Sequence, residues 1–326
     1  MLTIDGARLE GGGQIIRMAV ALSSLTGTPV QIVRIRAKRD NPGLAAQHIS
    51  AIRAVSIPSN AEVSGLSPGS SSLSFSPSSL QKSNFSLDIG TAGNISLVLQ
   101  TWLPIGLKVG GGIMVRGGTE VRHSPTIDYL ARVFLPLLQK YGARVDLSIL
   151  KRGYYPEGGG LVQVTVEPAH LIPLNITSEG IESGIISCSS NLPDHVAERQ
   201  AFSARKRLEE CLGINPPVNL DRRTGLSTGS SCTTWCGTKG GTALGRRGYP
   251  AERVGTEAAD MLINEVRAGG QVDMHLADQL LIYLALYGGS YTTGSLSLHA
   301  QTMHWLLGEF GFDVKIHTNK VVEFEA

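Results

Sequence analysis

The sequence predicts an α/β protein made of three β-α-β-α-β-β repeats, with a small α/β domain inserted in the third. Three observations lead there. The same order of short β-branched runs and helical apolar spacings recurs three times along the chain. A stretch of different texture, rich in Gly, Ser and Thr over Asp221–Gly248, interrupts the third pass. The length, 326 residues with 42% hydrophobic, suffices for two domain cores.

In the first unit a strand over Leu2–Asp5 precedes a helix from Gln14 to Leu25, its apolar stripe supplied by Ile15, Met18, Ala19 and Leu22. Val30–Arg36 reads as a strand and Gly43–Val55 as a helix; strands at Ala61–Ser64 and Ser72–Phe75 close the unit. The second unit runs Phe85–Asp88 (strand), Ala92–Trp102 (helix), Gly112–Arg116 (strand), Thr126–Tyr141 (helix), then strands Arg144–Leu150 and Gly160–Val166. The third opens with a strand near Leu174 and breaks. It resumes with a helix at His275–Tyr287, a strand at Tyr291–Leu296, a helix at His299–Phe310 and strands at Phe312–His317 and Val321–Phe324. The predicted main domain is therefore 1–180 with 271–326, and the insertion is 181–270. The insertion carries a strand at Gly184–Ser189 and helices at Asp194–Leu212 and Ala251–Ala268.

A net charge of +2 rules out a broadly basic surface, so any nucleic-acid contact is local, as at a terminus. No stretch reads as a membrane span, and the start lacks the basic and apolar regions of a signal peptide. A cytoplasmic protein without membrane contact is the expectation, and nothing calls for an obligate protein partner. Cys188, Cys211, Cys232 and Cys236 all lie in the insertion, at spacings that suit free thiols or a local disulfide better than a metal site.

Four groups of residues could carry chemistry. Glu10-Gly11-Gly12-Gly13-Gln14 joins a strand to a helix, either as a tight turn or as a backbone cradle for an anion. Arg34, Arg36, Lys38 and Arg39 crowd a strand end and its loop, with Arg17 one turn into the first helix. That is a solvated run or a phosphate site. Alternation along the strand would put Arg34 and Arg36 on one face. In His275-Leu276-Ala277-Asp278-Gln279, positions 275, 278, 279 and 282 share a helical face opposite Leu276, Leu280, Tyr283 and Leu284. This is a solvent face with Asp278 as a cap, or a face for a base and a ribose. His299 opens the last helix, where a lowered pKa would keep imidazole neutral and nucleophilic. His48, His123, His195 and His317 take a structural reading by default.

Together these motifs resemble the RNA 3′-terminal phosphate cyclase family along nearly the whole chain. The matching pieces include Glu10 through Arg17, Ile35-Arg36-Ala37 through Gln47-His48, Gly90-Thr91-Ala92-Gly93 through Gln100-Thr101, and Arg116 through Thr119. Further on come Arg152 through Pro156, His195 through Arg199, and His275 through Gln279. The resemblance implies repeats like those of enolpyruvyl transferases and a ligase-class reaction that uses ATP and a divalent metal, Mg or Mn. It implies that His299 attacks the α-phosphorus of ATP. AMP then passes to an RNA 3′-phosphate, and the 2′-hydroxyl closes a 2′,3′-cyclic phosphate. By position, Gln100, His275, Leu276, Ala277, Asp278, Gln279, Arg17 and Pro125 are expected around the nucleotide. Arg36 and Arg39 are expected on the substrate phosphate, and Glu10 on the metal. His275 stands where some members carry tyrosine, and Met303 where asparagine is common.

Two other readings compete. A non-catalytic relative serving ribosome assembly would be expected to lack the histidine and the Asp-Gln pair, which are present here as His299, Asp278 and Gln279. A transferase acting on a small phosphorylated metabolite would share the repeats, but gives no reason for a nucleophile at His299.

Overall fold

The computed structural model describes residues 1–177 and 182–326, so the expected domain boundary between 180 and 181 lies outside the described residues. β1 (Leu2–Asp5) leads through the first glycine triplet into α1 (Gly13–Thr26). The helix stops at Gly27, whose φ of 70° suits glycine. β2 (Val30–Val33), α2 (Ala46–Ser56), β3 (Glu62–Ser64) and β4 (Leu73–Ser76) follow. The sheet order is β1-β2-β4-β3, with β1 parallel to β2 and the other pairs antiparallel.

The next stretch comprises β5 (Ser83–Asp88), α3 (Ile95–Val109), β6 (Gly111–Gly117), α4 (Ile127–Tyr129), a π-helical turn at Leu130–Phe134, and α5 (Leu135–Lys140). β7 (Arg144–Lys151) and β8 (Gly160–Glu167) complete it. Its sheet, β5-β6-β8-β7, has the same senses. β9 (Leu174–Asn175) begins a third sheet. The chain then forms β10 (Ser183–Ser190), α6 (His195–Leu212), β11 (Val218–Arg223), β12 (Gly229–Cys236), β13 (Lys239–Leu244) and α7 (Ala251–Ala268). It returns as α8 (Met274–Tyr287), β14 (Gly289–Thr293), α9 (Leu298–Glu309), β15 (Lys315–Thr318) and β16 (Val322–Glu325).

The third sheet, β9-β14-β16-β15, again pairs its first two strands in parallel and the rest antiparallel. The remaining described sheet, β11-β10-β12-β13, has a different order. Buried apolar side chains fall into two clusters. One runs from Ile4 to Ile176 and again from Val272 to Phe324. The other, between Ile185 and Ile263, packs α6 and α7 on the β10–β13 sheet.

Several expectations shift locally. The strand expected over Val30–Arg36 ends at Val33, because Arg34 and Arg36 adopt φ of 53° and 52°, outside the extended region. The two arginines therefore do not alternate along a strand. The helix expected over Thr126–Tyr141 changes register midway. Pro136 has no N–H for the Arg132 carbonyl, and the π-helical turn sits just before it. The strand expected at Tyr291–Leu296 runs from Gly289 and stops at Thr293. The Gly/Ser-rich middle of the insertion forms β12 and β13, and a side chain at Gly241 would overlap the Ala258 carbonyl of α7. All four cysteines are free thiols. Among the described residues, no helix is long and apolar enough to cross a membrane.

Candidate active site

The N-termini of α1 and α9 lie side by side, and this contact builds the site. Ser297 caps α9 by accepting the Ala300 N–H at 2.9 Å, which leaves His299 in the first turn, open to solvent. Its Nδ1 lies 3.0 Å from Oε1 of the buried Gln14, in the first turn of α1. A neutral ring that donates Nδ1–H to that oxygen keeps its lone pair on Nε2. Partial burial, together with Arg17, His275 and Arg39, holds the imidazole below its ordinary pKa.

The glycine triplet is shaped by the side chains that lean on it. A side chain at Gly12 would overlap the Glu10 carboxylate, and one at Gly13 would overlap Nε2 of His48. Glu10 is tied to α9, since its N–H reaches Oγ1 of Thr302 at 3.3 Å. One carboxylate oxygen pairs with Arg39, and Arg39 also donates to the Glu10 carbonyl at 3.3 Å. The other oxygen, Oε2, is buried with no partner among the described residues. Arg17 is buried as well, and its Nε has no acceptor among the described residues. Burial pulls the Arg17 pKa down to about 10, and Asp278 opposes the shift. A buried acceptor and a buried donor, each without a partner, are costly unless a ligand or ion completes them.

His48, structural by default in the sequence, is buried at the start of α2 and leans on the glycine triplet. Its Nδ1 accepts the Ala45 N–H at 3.0 Å, so the neutral ring carries its proton on Nε2, facing Gly13 and Arg17. Burial, with Arg17 and Arg36 nearby, pushes its pKa down to about 3. Arg36 donates to the Gly43 carbonyl at 2.8 Å and is half-buried. Arg34 goes elsewhere, to the Asp5 carboxylate, with Nε to Oδ1 at 3.0 Å. Gln14 was likewise not singled out. The signal for both was position inside a motif that carries the resemblance, Glu10 through Arg17 for Gln14 and Ile35 through His48 for His48.

Next to Asp278, which Arg17 feels, Gln279 on α8 accepts at Oε1 a hydrogen bond from Gln100 on α3 at 2.7 Å. Pro104 lies four residues after Gln100 in α3 and has no N–H, so the Gln100 carbonyl lacks its helical donor. Burial and the Asp273 carboxylate push Asp278 well above the ordinary carboxylate range, with Arg17 pulling the other way. His275 is exposed, whereas Leu276 and Ala277 are buried and turn their side chains into the core. Ile282, assigned to the polar face by spacing, is buried too. The cap of α8 is Asp273, not Asp278. The Pro125 carbonyl accepts from Asn94, the cap of α3, at 3.0 Å.

The structure thus gathers His299, Gln14, Glu10, Arg39, Arg17 and His48 around the first turns of α1 and α9, with Arg36 beside His48, and links Gln100 of α3 to Gln279 on α8, the helix that carries Asp278. No cluster of three or more metal-binding side chains occurs among the described residues. Such an arrangement can host a nucleophile, several cations and one carboxylate around phosphate groups.

The sequence profile described as RNA 3′-terminal phosphate cyclase matches residues 8–317. An RNA 3′-terminal phosphate cyclase of Methanococcoides burtonii is 45% identical over 98% of this chain and 97% of its own. One of Archaeoglobus fulgidus is 46% identical over 99% of each. One of Thermococcus kodakarensis is 45% identical over 94% of this chain and 92% of its own.

Proposed function

The chain belongs to the RNA 3′-terminal phosphate cyclase family, and from that membership we propose that it converts an RNA 3′-terminal phosphate to a 2′,3′-cyclic phosphodiester, using ATP. Nε2 of His299 attacks the α-phosphorus, the α–β anhydride bond breaks, and pyrophosphate leaves. An oxygen of the RNA 3′-phosphate then attacks the same phosphorus and breaks the N–P bond. This gives an anhydride between the RNA 3′-phosphate and AMP. Finally the adjacent 2′-hydroxyl gives its proton to water and attacks the 3′-phosphorus, and the anhydride P–O bond breaks as AMP leaves. That closure is intramolecular, which removes most of its entropic cost.

The observation that carries this reading is the neutral His299 ring, with Nδ1 held by Gln14, beside the unpartnered Nε of Arg17 and Oε2 of Glu10. Arg17 would face the ATP phosphates, and Gln100 with His275–Gln279 the adenosine. Leu276 and Ala277 would act there through packing and backbone, because their side chains are buried. Pro125 precedes α4, whose Tyr129 reaches Asp273, two residues before His275, so it would border the same nucleotide. Glu10 fits a divalent ion, Mg or Mn. A single carboxylate with one open buried oxygen suits an ion held mostly by nucleotide phosphates and water. When bound, that ion neutralises charge on the phosphates. Arg36 and Arg39 would hold the RNA 3′-phosphate. We also read the three like sheets as one repeated unit of the enolpyruvyl-transferase kind, with residues 181–270 inserted in the third.

The test is incubation with α-labelled ATP and a divalent metal, without RNA, followed by denaturing electrophoresis. Acid-labile label should stay on the chain and vanish in His299→Ala. Full labelling of that variant would remove His299 from the mechanism. Arg36→Ala and Arg39→Ala should still label but form cyclic ends slowly.

A further inference from the structure

We propose that Asp273 is a positioning residue for the nucleotide helix α8, and that the 181–270 segment presets this helix through it. The inference rests on reading His275–Gln279 as the adenosine face. The first N–H groups of a helix have no partner within it. In α8 carboxylates and one carbonyl take all four. Oε2 of Glu265, on α7, accepts the Met274 N–H at 3.1 Å. Oδ1 of Asp273 accepts the His275 and Leu276 N–H groups at 2.9 and 2.7 Å. The Thr238 carbonyl accepts the fourth, the N–H of Asp273 itself, at 3.3 Å, and the first bond within the helix runs from the Ala277 N–H to the Asp273 carbonyl at 3.0 Å.

The other side of the Asp273 carboxylate faces two more parts of the molecule. Oδ2 accepts the Tyr129 hydroxyl at 2.7 Å and the Gly240 N–H at 2.9 Å. Burial and the adjacent carboxylate push the Tyr129 phenol well above its ordinary range, so it stays a donor. Asp273 is fully buried, at 0% exposure. Gly240 lies in β13, and a side chain there would sit 2.8 Å from the Tyr129 ring, so the close approach of hairpin and phenol needs glycine. The β12–β13 turn grips the same segment twice more. The Thr238 hydroxyl donates to the Gln271 carbonyl, and the Asp273 N–H reaches the Thr238 carbonyl at 3.3 Å.

This arrangement has a directional consequence. With two carboxylates at its start, α8 has no free positive end to offer an anion. The nucleotide meets the side of α8, where His275, Asp278 and Gln279 stand, not its tip. Asp273 fixes the rotation of that side because it bonds the N–H of His275 itself. A purely structural Asp273 would lower stability without changing nucleotide affinity.

The experiment measures binding of α,β-methylene-ATP by calorimetry, and adduct formation from ATP, on the full chain. Tyr129→Phe removes one hydroxyl and keeps the ring; Asp273→Asn removes the charge. Tyr129→Phe should weaken nucleotide affinity roughly tenfold. It should raise the ATP concentration for half-maximal labelling in proportion, with the saturating rate nearly unchanged. Asp273→Asn should weaken both further where it folds. Unchanged affinity in a folded Tyr129→Phe chain whose thermal midpoint has dropped would overturn the proposal. An unmutated protein that binds the analogue but forms no adduct would sink the reaction proposed above and leave this inference to be judged on affinity. An unmutated protein that binds no nucleotide would end both.

Discussion

His299, Glu10 and His48 show how single side chains are tuned by their neighbours. In the proposed mechanism His299 attacks through Nε2, and a protonated Nε2 has no lone pair to attack with, so adduct formation should fall as pH drops through the pKa of His299. Because that pKa lies below the ordinary 6.5, single-turnover labelling should hold at pH 6.5 and decline only in more acid buffer. A midpoint at or above that value would contradict the placement. Glu10 shares its carboxylate with Arg39, and a cation bound there must compete with the guanidinium. Arg39→Ala should therefore lower the metal concentration that gives half-maximal labelling, and Glu10→Ala should raise it. His48 makes a stability prediction. Unfolded, it titrates near 6.5; folded, near 3. Between those values the unfolded chain binds a proton that the folded chain refuses, so stability falls as pH falls, by up to ~1.4 kcal/mol per unit. From pH 7 to pH 5, urea unfolding of the unmutated protein should lose roughly 2 kcal/mol more than that of His48→Gln.

Elements differ in how much room their glycines have. Gly308 lies within α9, and a side chain there would meet nothing within 4 Å. Gly308→Ala should raise stability by ~0.5–1 kcal/mol in denaturant unfolding, since alanine costs less backbone entropy in a helix. Gly241, in β13, is the opposite case, because a methyl group would overlap the Ala258 carbonyl and crowd the Leu262 N–H at 2.6 Å. Gly241→Ala should cost about 1–3 kcal/mol by forcing β13 and α7 apart. Similar midpoints for the two variants would mean that the sheet yields more easily than its packing suggests.

Across the whole molecule, Arg152 ties the two hydrophobic clusters together. Its guanidinium reaches Glu120 at 2.5 Å and Asp128 at 2.7 Å on one side, and Asp221 of β11 at 2.8 Å on the other. Arg152, Glu120 and Asp128 are buried, so their pairing costs desolvation, but removing one partner costs more. Arg152→Met should destabilise by about 3–5 kcal/mol, because buried carboxylates lose their counter-charge. Replacing Cys232 and Cys236 with serine should spare adduct formation, since both lie in β12 and pack in the cluster between Ile185 and Ile263. The free thiols are not bridged, so no disulfide is lost. Loss of labelling in a folded double variant would bring the insertion's core into the chemistry.

The local pattern of the chain was enough to find most of the elements and to place His299 and Glu10 at their ends. Apolar spacing marked α1, α8 and α9, and a histidine after Ser297 marked the start of the last helix. Such features depend on neighbours in sequence, where helix and strand periods are written directly. What the tertiary structure decided was who meets whom. Nothing in the spacing says that Gln14 holds His299, 285 residues away, or that Arg39 rests on Glu10 while Arg34 turns back to Asp5. Nor does it say that Asp273, rather than Asp278, caps α8 and reaches Gly240. The left-handed turns at Arg34 and Arg36 and the burial of Ile282 belong to the same class. The physical reason is that hydrogen bonds, burial and charge act through space. Their partners are set only when sheets and helices dock, and the sequence carries the period of each element but not the face of its distant neighbour.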